Sequence, residues 1–92
     1  MKNFAFDCHE ILNEHSFWTA YLEATCPESA ANFGFNRAAF RDAVLGGGPG
    51  WPGECVVTLV NADRLRKIDS GQFHRFLEGV AVESSFVRIR FE

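Results

Sequence analysis

Cys55-Val56-Val57-Thr58-Leu59-Val60 is the stretch on which the fold turns, nearly all apolar and rich in β-branched side chains. Such a run, with glycine and proline before it and a polar segment after, reads as a strand covered on both faces of a parallel sheet. It is expected to be the central strand. Upstream, Phe4, Phe6 and Cys8 alternate with Ala5 and Asp7, the period of two that marks a strand with one better buried face. Downstream, Val87, Ile89 and Phe91 alternate with Arg88 and Arg90, so a last strand buries one face and shows two guanidinium groups on the other.

Helical patterns separate these strands. Phe17, Trp18, Tyr21 and Leu22 make one apolar stripe that Asn13 or Ser16 can cap and Pro27 stops. Glu28 to Phe35 has no period and reads as a loop. Asn36 then caps a segment with Phe40, Ala43 and Val44 on one side, ending at the glycines that begin with Gly46. The following Gly-Gly-Gly-Pro-Gly-Trp-Pro-Gly, residues 46 to 53, cannot hold regular structure. Asn61 to Ile68 has room for a helical turn. Asp69 with Gln72 resembles a capping box ahead of Phe73, Phe76, Leu77 and Val80 at helical spacing. Parallel strands need crossovers of this length, which predicts an α/β domain: a three-stranded parallel sheet with three to four packed helices.

With 92 residues, 47% of them hydrophobic, the chain suffices for one core over residues 1–92 and not for two. Ten Phe and two Trp either fill that core or anchor a partner surface. The net charge of −3 is uneven, because Lys2 alone stands against Asp7, Glu10, Glu14, Glu23 and Glu28 in the residues up to Asn32. An acidic end repels phosphate backbones and attracts basic proteins, which disfavours direct nucleic-acid binding. Cys8, Cys26 and Cys55 form no close pair, and reduced thiols in a cytoplasm are the simpler reading. Asp7 interrupts the first apolar stretch where a signal peptide needs an unbroken one, and no run is long enough to span a membrane.

Phe33-Gly34-Phe35-Asn36-Arg37-Ala38-Ala39-Phe40-Arg41-Asp42-Ala43-Val44 resembles the aromatic-Gly-x-Asn-x-x-Ala-apolar-x-Asp-Ala-apolar signature of the barstar family of ribonuclease inhibitors. The order of expected elements matches that family over almost the whole chain. In physical terms, Gly34 permits a tight turn, Asn36 satisfies free amides at the helix start, and Phe40 with Val44 seats the helix. Asp42, two positions beyond Phe40, points away from that stripe. The resemblance implies a one-to-one protein inhibitor whose helix and preceding loop enter a nuclease cleft, the aspartate taking the place of substrate phosphate. It implies partner contacts from Asn32, Phe33, Gly34, Asn36, Arg37, Ala38, Arg41, Asp42, Gly46 and Trp51, with Glu78 on the third helix as a further acidic contact.

Two departures bear on the target. Ala38 stands where the family often has a second carboxylate, and Arg41 stands where it has an aromatic residue. Arg37 and Arg41 are one helical turn apart, so they are expected to flank Asp42, partly cancel its field and favour a target that offers carboxylates too. The blander reading of Asp42 is a solvated residue paired with one of these arginines. Trp51, between glycines and prolines, is either an interface anchor or a ring folded back on the core.

The glycine loop lacks the Gly-Lys-Ser/Thr ending of a phosphate-binding loop. Cys8, His9, Cys55 and His74 fit no metal spacing, and both strand cysteines read as inert packing, so no metal, cofactor or catalysis is expected. Arg88 and Arg90 read as a solvated face. Three functions compete: an immunity protein against a ribonuclease or related toxin, a barstar-like adaptor or regulator that binds without inhibiting, and a small hydrolase dependent on Cys8 or a histidine.

Overall fold

A computed structural model describes residues 1–92. Strand β1 (Lys2–Asp7) leads into helix α1 (Glu14–Thr25), a 3-10 turn (Ala30–Asn32) and helix α2 (Arg37–Gly46). Strand β2 (Cys55–Val60), a 3-10 segment (Ala62–Gly71), helix α3 (Gln72–Glu83) and strand β3 (Val87–Phe91) complete the chain. The sheet is parallel in the order β1-β2-β3, with Lys2 beside Cys55 and Cys55 beside Val87, so β2 is central as its sequence predicts.

The central strand departs from expectation in one respect. Cys55, Val57 and Leu59 are buried, but Val56 and Thr58 are only partly covered and Val60 is exposed. The opposite face of the neighbouring strands shows Asn3, Ala5, Asp7, Arg88 and Arg90 to solvent. A run of β-branched residues thus reports strand propensity here, and it does not report a second covering layer.

On the buried face the aromatic residues interlock. Phe17 meets Trp18, Phe40 and Phe73 edge-on at 5.3, 6.1 and 5.1 Å between centroids, and Tyr21 meets Phe40 at 5.1 Å. Edge-to-face contacts of this kind add about 0.5–1.5 kcal/mol beyond the area they bury. They join α1, α2 and α3 into one layer with nineteen buried apolar residues at its centre.

Helix starts follow the sequence at two of three places. Asn13, not Ser16, caps α1, its side chain accepting the Ser16 amide at 2.8 Å. Asn36 caps α2, accepting the Ala39 amide at 2.7 Å. The capping box at Asp69 and Gln72 does not form. Asp69 and Ser70 turn left-handed (φ 50° and 53°), Gly71 is the cap residue of α3, and no side chain caps that helix. The Asp69 carboxylate goes instead to Arg37. No helix is long and apolar enough to cross a membrane.

Candidate partner-binding surface on the second helix

The approach to α2 is a strained turn. Gly34 was expected to supply it, yet the left-handed residue is Phe35, with φ at 51°. A bulky residue held there costs about 1–2 kcal/mol and persists only where its surroundings enforce it. Gly34 is needed for space, because a Cβ on it would meet the Ala39 Cβ at 3.0 Å. Asn36 bridges the turn, its amide nitrogen donating to the Gly34 carbonyl at 3.1 Å. The result places the Phe35 ring at the surface, 39% exposed and stacked on His15 at 5.2 Å.

Phe33 is the inward counterpart. Only 5% exposed, it packs on Trp18 and Tyr21 and offers a partner no accessible face. Asn32, Gly34, Asn36, Ala38, Arg41, Asp42 and Gly46 are exposed, and Arg37 and Trp51 are half-buried. Trp51 lies against the edge of the core, so its ring is folded back in part.

Neither arginine pairs with Asp42. The Arg37 guanidinium grips Glu14 with both ends, Nε to Oε1 at 2.9 Å and Nη2 to Oε2 at 2.8 Å, and reaches Asp69 Oδ2 at 3.1 Å. It also lies 5.7 Å from the centre of the Phe73 ring and 5.8 Å from that of Phe76. Fork-to-fork bonding and an aromatic floor hold it in a single geometry. Its hydrogen bonds to Glu14 raise its proton affinity further. Arg41 turns the other way and pairs with Glu83 near the end of α3.

Asp42 is therefore the exposed charge of α2 without an ion pair. Its backbone is fixed even so, since its carbonyl accepts the amides of Gly47 and of Gly48, the latter at 3.0 Å. The loop beyond is tethered too. The Tyr21 hydroxyl donates to the Gly50 carbonyl at 2.8 Å, and the Gly50 amide donates to Ser29 Oγ at 2.8 Å. Gly50 admits no side chain, because a Cβ would approach the Phe33 ring to 2.7 Å and φ is 97°.

Glu78 does not join this surface. It bonds His74 Nδ1 at 3.0 Å and borders a hollow with Ala62, Asp63, Arg66, Phe91 and Glu92, on the flank of α3 that meets β3. Cys8 and Cys55 are buried thiols. Burial, with Asp7 nearby, pushes the Cys8 thiol up to about 12, and burial raises Cys55 as well. No three side chains of metal-ligating type stand close enough together to hold an ion. No family model matches the chain, and no curated protein matches it significantly.

Sequence spacing pointed to α2 and its loop but missed four participants. Glu14, Asp69 and Glu83 lie far from the arginines along the chain and carry no local signal. Phe35 was legible only as a position in the motif, and its exposure follows from the left-handed turn.

Proposed function

We propose that this chain is a barstar-like inhibitor, an immunity protein that binds a cognate ribonuclease or related toxin one-to-one and occludes its active site with α2 and the preceding turn. One observation carries the reading: Asp42 is exposed, unpaired and held on a firmly seated helix, while Arg37 and Arg41 are occupied by the chain's own carboxylates. Two guanidinium groups thus stand against four carboxylates, Glu14, Asp42, Asp69 and Glu83. That balance suits a basic cleft, where sequence spacing alone suggested a target that also offers carboxylates.

Presenting the carboxylate on a rigid element lowers the ordering cost of association. Phe35 supplies an exposed aromatic beside the helix start, a residue type enriched at the centres of interfaces. The test is co-purification with the product of the neighbouring gene, followed by a nuclease assay with and without this protein. Inhibition at one equivalent supports the proposal. Binding without loss of the partner's activity would favour the adaptor reading, for which Ala38, in place of a second carboxylate, is the specific motive.

A further inference from the structure

The two free edges of the sheet differ chemically. Just past β1, the Cys8 amide bonds the Val60 carbonyl at 2.7 Å. By alternation, the peptide groups of Phe4 and Phe6 also face β2, and those of Asn3, Ala5 and Asp7 face outward. Those outward peptide groups find no backbone partner in the rest of the fold. Between Lys2 and Asp7, the span Asn3-Phe4-Ala5-Phe6 carries no proline and no charge. Phe4 and Phe6 are moreover only half-buried.

At the other edge the Glu92 amide bonds the Leu59 carbonyl at 2.9 Å, so Val87, Ile89 and Phe91 present the free peptide groups. Antiparallel pairing of two β3 strands about Ile89 would set Arg88 across from Arg90 twice, and like charges directly opposite repel. Pairing β1 with β3 of another copy would leave an edge free at each end and run on without closing.

We propose that β1 is a self-association edge: two copies pair their β1 strands antiparallel about a two-fold axis at Ala5, joining their sheets into one of six strands. In this register Ala5 exchanges both backbone bonds with Ala5 of the second copy, and Asn3 exchanges both with Asp7 of the second copy. Every outward amide of β1 is then satisfied. Phe4 stands across from Phe6 of the second copy, twice, at the closer non-hydrogen-bonded spacing of about 4.5 Å between Cα atoms.

Sedimentation equilibrium under reducing conditions, which keep the exposed Cys26 from cross-linking, tests the proposal. The expected result is a dimer whose fraction grows with concentration. Ala5→Pro removes the central outward amide and is expected to leave a folded monomer. Ala5 is exposed, so Ala5→Lys and Ala5→Glu fit the monomer even where proline does not. Each of these two is expected to be monomeric alone and to form a heterodimer when mixed. A wild-type protein that stays monomeric into the millimolar range overturns the proposal, as does a dimer that survives in both charged variants separately.

Discussion

Asp42 owes its availability to residues far from it in the chain. Glu14, Asp69 and Glu83 take the ion pairs of the two neighbouring guanidinium groups, which the spacing of Arg37 and Arg41 did not show, although Asp42 still acts on Arg41 through space. No local pattern announces an ion pair between α1 and α2. If Asp42 is a buried contact in the complex, Asp42→Ala weakens binding by about 2 kcal/mol or more, roughly thirtyfold, as titration calorimetry would show. Phe35 separates stability from binding. Phe35→Gly relieves the left-handed backbone and gives up the His15 stack, so stability stays within about 1 kcal/mol of wild type while partner affinity falls. A much larger loss in urea denaturation would mark the ring as a structural support.

The elements differ in how openly the sequence declares them. Both asparagine caps were legible because an Asn before an apolar stripe has one favourable use, and the structure shows each accepting an amide. Asn36→Ala should cost about 1 kcal/mol, seen as a lower urea midpoint with an unchanged slope. The false capping box at Asp69 and Gln72 shows the limit of such patterns, since tertiary demand from Arg37 claimed the carboxylate. The glycine loop was legible as a loop, but its tethers were not. Tyr21→Phe leaves the buried Gly50 carbonyl without its donor, and a loss of about 1–3 kcal/mol in thermal unfolding is the expected outcome.

At the scale of the whole molecule, strand order followed from the apolar run at Cys55 to Val60 and from the helical lengths between strands, both of which are sequence properties. Which sheet face lies open was legible at β1 and β3, where Asp7 and then Arg88 and Arg90 alternate with apolar residues, but not at β2, because Val56 and Val60 look the same in a covered strand and a bare one. The core makes a pH prediction of definite sign. Cys8 keeps its proton up to about 12 when folded and releases it near 9.0 when free, so unfolding releases a proton between those values. Stability is therefore full below about pH 9 and falls as pH rises toward 12, by on the order of 4 kcal/mol from this thiol, with Tyr21 and Cys55 acting in the same direction. Denaturation curves at several alkaline pH values check it. The most direct test of the central claim is titration of a nuclease that co-purifies with this protein, using the wild-type protein and Asp42→Ala. Full inhibition at one equivalent of wild type, with a roughly thirtyfold weaker variant, is the predicted result. Equal inhibition by both proteins, with the variant's fold intact, would contradict the claim that α2 delivers an unpaired carboxylate to its partner.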